Sequence, residues 1–226
     1  MYLLVLNLIT DLPEGTPGGA GGPDEEQVQR WVDLARQGDS LAARRLYRMY
    51  VGRLFRVVRP LSSSDADAED AVQDAFVAAL GHLDRYQRRP GTRFVAWLVT
   101  IALNTARKQA RRTQRWRPLS PERVASLQEG DGVDGAGAGD GLADALDRRR
   151  LGEALLRALS GLPERERRIV VLRYGGELNA TEVGALVGEQ PATVRKICQR
   201  QRERLLERLT REPGAPPASR PAQGAP

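Results

Sequence analysis

This 226-residue chain contains one cysteine, Cys198, and one histidine, His82. A single thiol excludes an intrachain disulfide framework, and the scarcity of both residue types leaves no Cys/His cluster for a metal. A Ser-His-Asp constellation would have to depend on His82 alone. Lysine is nearly missing: Lys108 and Lys196 are the only two among 35 basic residues. A GC-rich genome and an arginine-built binding surface both produce that bias. No apolar run approaches the length of about 20 residues that spans a bilayer. The opening MYLLVLNLIT is apolar but has neither a basic n-region nor a small-residue cleavage site, so it is a poor signal peptide. A mis-assigned translation start and a loosely held segment are the readings left for it. These absences point to a soluble cytoplasmic protein without a cofactor.

Positive charge is present in two blocks. Residues 24–117 carry 18 basic and 11 acidic side chains, and residues 146–211 carry 15 and 9. Residues 118–145 between them carry 1 and 6, and include the glycine-rich run EGDGVDGAGAGDG. Two basic bodies joined by an acidic strap fit a polyanionic partner that the strap does not touch. Residues 1–23 read as a flexible Gly-Pro extension, 118–145 as a flexible linker and 212–226 as a disordered tail.

Within the two blocks the periodicity is helical, with no convincing strand. Val28, Trp31, Val32, Leu34 and Ala35 recur at three- and four-residue spacing, and Gly38 ends that helix. Leu46, Tyr47, Tyr50, Val51, Leu54, Phe55 and Val58 mark a second helix from Leu41 to Arg59, broken at Pro60. Ser62 to Ser64 offer caps for a third, from Asp65 to His82, and a fourth runs from Arg93 to Arg112. Periodicity resumes at Leu146, and a further helix is expected over 164–174. The fold class is therefore all-α, as two small helical domains: a four-helix body and a helix-turn-helix body.

Three surfaces carry the functional reading. On the third helix Asp67, Asp70 and Asp74 share one face, with Gln73 beside the last two. Ala68, Ala71, Val72, Ala75, Phe76 and Ala79 form the opposite, core-facing stripe. The face can be ordinary solvated charge favoured by the helix dipole, a dock for a basic protein surface, or a carboxylate metal site. No histidine or second acidic motif supports the metal.

On the fourth helix Phe94, Trp97, Leu98, Ile101, Ala102 and Thr105 form an apolar stripe, and Asn104, Arg107, Lys108, Arg111 and Arg112 leave it. Such arginines can simply snorkel over a solvated face. Asn104 among them favours a base contact, because an amide both donates and accepts as purine edges require. The preceding loop holds Tyr86, Gln87, Arg88 and Arg89, an aromatic beside cations, which suits single-stranded bases that stack while their phosphates meet arginine.

The third surface lies in EVGALVGEQPATVRKICQRQRERLLERL, from Glu182 to Leu209. A short apolar helix, a turn at Gly188 and a basic helix from Pro191 outline a helix-turn-helix. Val183, Leu186, Val187, Val194, Ile197 and Cys198 are expected to join the two helices, which makes Cys198 a small core residue rather than a redox switch. Thr193, Arg195, Lys196, Gln199 and Arg200 face outward, where base edges are read. Arg202, Arg204 and Arg208 fit phosphate contacts or solvated charge.

Together these strings resemble the extracytoplasmic-function sigma factors, specificity subunits of bacterial RNA polymerase. The resemblance rests on DADAEDAVQDAFVAALGHLDRY, FVAWLVTIALNTARKQARR and ALSGLPERERRIVVLRYGGELNATEVGALVGEQPATVRKICQRQRERLLERL, in that order. It implies that Asp70, Gln73 and Asp74 bind core RNA polymerase at the clamp helices of its largest subunit. It places Tyr86, Gln87, Arg88, Arg89, Asn104, Arg107, Lys108 and Arg111 at the promoter −10 element and Thr193, Arg195, Lys196, Gln199 and Arg200 at the −35 element. It also implies sigma region 2 over 24–117, sigma region 4 over 146–211, binding rather than catalysis, and an anti-sigma protein as a candidate partner. Ile197 stands where many relatives have arginine, and Gln199 where histidine or an aromatic is usual, so the −35 preference is expected to be unusual or weak. The competing readings are a helix-turn-helix regulator that never enters polymerase, a carboxylate-metal nuclease, and a protein that sequesters a sigma factor.

Overall fold

The computed structural model describes residues 24–88, 91–116 and 142–211, with side chains of 24–88, 91–111 and 146–210. The expected extension over 1–23, the tail over 212–226 and nearly all of the linker lie outside the described residues. Eight α-helices and no β-strand are found among those that are described.

The first half is built by local signals. Asp24 caps α1 (Glu25–Arg36), its carboxylate accepting from the Gln27 amide at 2.6 Å. Asp39 caps α2 (Ser40–Val58) at the Leu41 and Ala42 amides, and Ser64 caps α3 (Asp65–Leu80) at the Asp67 amide. The α4 helix (Phe94–Trp116) is capped from a distance, since Glu25 of α1 accepts from the Phe94 amide at 2.7 Å. Burial raises the Glu25 carboxyl above its ordinary value, against the lowering effect of that hydrogen bond and of Arg93. The apolar stripes meet around Leu46, Leu54, Val57, Phe94 and Leu98, all fully buried. The Ala68, Ala71, Val72, Ala75, Phe76, Ala79 stripe of α3 is buried as its spacing required. Trp31, Ala35, Val51 and Phe55 of the periodic runs are half-buried, and Leu34 and Tyr47 stay exposed, Tyr47 with its ring 4.8 Å from that of Phe76.

The second half comprises α5 (Leu142–Ser160), α6 (Glu164–Val170), α7 (Ala180–Val187) and α8 (Pro191–Arg211). The helix expected over 164–174 is α-helical only to Val170. It widens into a π turn over Val171–Gly175, where the Gly176 amide reaches back to the Val171 carbonyl at 3.1 Å. The chain then reverses through Glu177, which holds φ at 52°, a left-handed conformation that L residues rarely adopt.

The two halves pack together, a feature with no counterpart in the sequence reading. Residues 171–178 lie on α2: a Cβ on Gly176 would meet Val57 at 3.1 Å. Arg53 and Arg56 of α2 hold the Glu177 carboxylate from both sides, at 2.6 and 2.8 Å, and Arg56 also reaches the Gly175 carbonyl. Burial lowers the Arg56 pKa, opposed by Glu177.

Candidate nucleic-acid interface

The helix-turn-helix is assembled by a reciprocal cap and a glycine. Asn179 accepts from the Glu182 amide while Glu182 accepts from the Asn179 amide, both at 2.9 Å. Gly188 ends α7 in the left-handed region, φ 76°, and its amide bonds back to the Gly184 carbonyl. Gly184 is constrained from outside: a Cβ there would lie 2.5 Å from the Glu189 carbonyl oxygen. Val183, Val194, Ile197 and Cys198 are buried where the helices cross, with Leu186 and Val187 half-buried. Cys198 is thus a core residue.

On the outer side of α8, Arg195, Lys196, Gln199 and Arg200 are exposed and Thr193 is half-buried. Arg200 is tethered, its guanidinium donating to Glu166 of α6 at 2.6 Å, and Gln201 donates to the other oxygen of the same carboxylate. Further along, Arg208 donates to the Ala158 carbonyl, so that cation ties α8 to α5. Ile197 is buried and adds no outward contact.

On α4, Asn104, Arg107, Lys108 and Arg111 are exposed on one side, and Phe94, Leu98, Ala102 and Leu103 are buried on the other. Gln87 and Arg88 are exposed at the end of the loop that precedes it; Arg89 lies outside the described residues. Tyr86 departs from the stacking role expected of it. Its ring is buried, 5.1 Å from the Phe94 centroid and 5.2 Å from that of Trp97, so it supports the loop from below instead of facing solvent. The Arg36 guanidinium holds the backbone there, donating to the carbonyls of Leu83 and Tyr86. Burial pushes the Tyr86 phenol up to about 12 and raises that of Tyr50 as well, so both stay neutral. An aromatic among cations reads alike in sequence whether its ring points out or in.

The acidic face of α3 is open. Asp70, Gln73 and Asp74 are exposed, and Asp74 accepts from Gln109 of α4 at 3.1 Å. Val77, 73 % exposed, and Leu80 continue that face toward the helix end. Among the described residues no group of His, Cys, Asp or Glu is placed to hold a metal ion, and no helix is long and apolar enough to cross a membrane.

One cluster escaped the sequence reading. Arg93, in the segment before α4, meets Glu182 of α7 with Nε at 3.0 Å and Nη2 at 2.6 Å, while its own amide donates to the same carboxylate. Its Nη2 also donates to the Glu177 carbonyl at 2.7 Å. Burial works to lower the Arg93 pKa, but the hydrogen bond and charge of Glu182 overcome it and leave it raised. The spacing of Asn179 and Glu182 signals the cap, yet nothing local signals a partner 89 residues away. Nearby, Arg168 of α6 is lowered by burial and then by the charge of Arg107 on α4.

The profile of Sigma-70 region 2 matches residues 46–117 and that of Sigma-70 region 4 matches residues 158–206. The RNA polymerase sigma factor CarQ of Myxococcus xanthus is 36 % identical over 183 residues, covering 80 % of this chain and 95 % of its own. The ECF RNA polymerase sigma factor SigE of Mycolicibacterium smegmatis is 30 % identical over 203 residues, 89 % of this chain and 70 % of that protein. Among solved structures, CnrH in complex with the cytosolic domain of CnrY superposes with a TM-score of 0.56 at 24 % identity, over 84 % of this chain and 100 % of that one. RpoE of Bartonella quintana in complex with the anti-sigma factor NepR gives 0.53 at 23 %, over 75 % and 98 %. Those two share the fold. The sequence relatives, both family profiles in order, and a helix-turn-helix behind a four-helix body establish that the chain belongs to the extracytoplasmic-function RNA polymerase sigma factors, which direct transcription initiation.

Proposed function

We propose that this sigma factor acts by binding alone, with three surfaces dividing the work, in the cytoplasm where polymerase and promoter meet. The body over 24–117 serves as region 2 and that over 146–211 as region 4, joined by 118–145. Asp70, Gln73 and Asp74 dock on core RNA polymerase. Asn104, Arg107, Lys108 and Arg111, with Gln87, Arg88 and Arg89 of the loop, engage the −10 element and hold its opened strand. Thr193, Arg195, Lys196, Gln199 and Arg200 read the −35 element. The observation that carries this reading is the segregation of charge: an exposed acidic face on α3 and exposed basic faces on α4 and α8. A carboxylate face repels DNA phosphates and attracts a basic protein surface, so the protein contact and the two DNA contacts separate by sign.

In this scheme polymerase fixes the distance between the two DNA-reading bodies, and binding at one element raises the effective concentration of the other. Capture of an extruded base offsets the few kcal/mol of unstacking that melting costs. With Tyr86 buried, that capture falls to the loop's backbone and its cations. A protein that holds this chain inactive is part of the proposal, and it would co-purify with the full-length chain from its native cell. Run-off transcription with core polymerase on a promoter library tests the whole reading. Discrete new start sites are expected with wild type, and far fewer with Asp70→Lys. DNA binding without polymerase-dependent transcripts would establish the stand-alone regulator instead.

A further inference from the structure

The loop in front of α4 is tied at both of its ends to one helix, α1. At its start the Arg36 guanidinium donates from Nε and Nη2 to the Leu83 carbonyl, at 3.2 and 3.1 Å, and from Nη2 to the Tyr86 carbonyl at 3.1 Å. At its end the Glu25 carboxylate accepts from the Phe94 amide at 2.7 Å. The helix therefore offers donors at its last residue and an acceptor at its first, which are the groups the passing chain lacks at those points. Arg36 is itself aimed. Asp33 accepts from its Nη1 at 3.0 Å, and Gln29 donates to the same Asp33 oxygen at 3.1 Å. All of these residues belong to the first half, so the arrangement does not depend on the helix-turn-helix body.

We infer that Arg36 and Glu25 are positioning residues for the −10 element, holding the two ends of the loop on α1 and so shaping the arc that captures the opened strand. The inference rests on the function proposed above. Glu25 and Arg36 stand at the two ends of the 12-residue α1, about 16 Å apart along its axis at about 1.5 Å per residue. The chain from Tyr86 to Phe94 covers about 27 Å when extended, at roughly 3.4 Å per residue. Held to the shorter distance it has to bow away from α1, and Gln87 and Arg88 are exposed on that bow. Gly91, with φ at 73°, supplies the left-handed turn by which the chain comes back to α4.

Fixed ends matter because ordering a free loop at the moment of binding weakens the capture of a base. A loop shaped in advance leaves more of its contact free energy to offset unstacking. The Arg36 side chain is 37 % exposed, so water takes over the Leu83 and Tyr86 carbonyls when it is removed. Its loss therefore alters the loop more than the stability of the body.

The test uses the full chain assembled with core polymerase, and two probes from a start site found by run-off transcription. One is a single strand carrying the −10 element, the other a duplex carrying only the −35 element. With Arg36→Met, single-strand binding is expected to weaken about tenfold and its base preference to flatten, because loop side chains then have to be ordered on binding. Binding of the −35 duplex and of core polymerase should stay within about twofold of wild type. Arg36→Lys, whose ammonium lacks the planar fork, should restore part of the loss. Glu25→Ala, at the other anchor, should weaken the same single-strand step. Asp33→Asn removes the charge that aims Arg36 and should give a smaller loss of the same sign, and it decides the matter if Arg36→Met does not fold. Wild-type affinity and base preference in these variants overturn the inference. So does an equal loss at both elements, which makes Arg36 a structural residue only. A wild type that binds core polymerase but no −10 single strand refutes the promoter reading instead, and the positioning role falls with it.

Discussion

Replacing Tyr86 by phenylalanine should stabilise the protein. The tyrosine ring packs edge-on against Phe94 and tilted against Trp97, and those two rings lie 5.5 Å apart, a cluster that fixes the loop to α4. The Tyr86 hydroxyl is buried there with no hydrogen-bond partner among the described residues. A buried polar group left unpaired costs about 1–3 kcal/mol in lost hydration. Phenylalanine removes that cost and keeps the ring contacts, worth about 0.5–1.5 kcal/mol per aromatic pair. A gain near 1 kcal/mol corresponds to a Tm rise of about 2–4 °C in a chain of this size. Tyr86→Ala, in contrast, removes the ring and should cost about 3–5 kcal/mol. Thermal unfolding followed at 222 nm reads both, with single-stranded −10 DNA binding measured beside it. A lower Tm for Tyr86→Phe would refute the reasoning, since it would show that the hydroxyl has a partner. An unchanged Tm for Tyr86→Ala with weakened DNA binding would restore the ring as an exposed stacking platform.

The raised carboxyl of Glu25 gives a pH dependence of definite sign. Its folded-state pKa lies above 4.5, so its contribution to stability is fully present below 4.5 and is lost as pH rises through the raised value. Glu25→Gln keeps an acceptor for the Phe94 amide, so it should be at least as stable as wild type at pH 7 and show a flatter Tm profile just above pH 4.5. A marked loss at pH 7 with the profile unchanged would contradict this. In the helix-turn-helix, Gly188→Ala should cost about 1–2 kcal/mol for its left-handed backbone, whereas Gly184→Ala must displace the Glu189 carbonyl and should abolish −35 binding. Equal Tm values and equal DNA affinity for the two variants would refute that account of the turn. Lys196→Ala should lower the salt slope of DNA binding by about one, and Asn104→Ala should relax base preference at one −10 position by about 1–3 kcal/mol. Titration of both variants across salt and sequence separates a phosphate contact from a base contact. Asp70→Lys sits on an exposed face and should leave Tm nearly unchanged while weakening polymerase binding several-fold. A parallel loss of Tm would assign Asp70 a structural role.

Much of this molecule was legible in the order of its residues because the signals involved are local. The stripe from Ala68 to Ala79 buries as a period of 3.6 requires, and the exposed Asp70, Gln73 and Asp74 follow from the same period. Of the caps offered over Ser62 to Ser64, Ser64 starts α3 by accepting from the Asp67 amide three residues on. Gly188 ends α7 for a reason contained in one φ angle, and Cys198 falls on the buried side of α8 by spacing alone.

Tertiary structure decided what depends on distant partners. The direction of the Tyr86 ring follows from where Phe94 and Trp97 lie, and periodicity says nothing of that across an irregular loop. Asn179 and Glu182 spell out a cap, but that the same carboxylate also binds Arg93 is set by the packing of α7 on the segment before α4. Arg56 and Glu177 are separated by 121 residues, and neither has a neighbour in sequence that names the other. Helix formation needs only contacts three or four residues apart, so sequence determined the elements and their faces. Ion pairing acts through space, so only the assembled fold determined which charged side chains, Arg53, Arg56, Arg93, Glu177 and Glu182 among them, meet across the two halves.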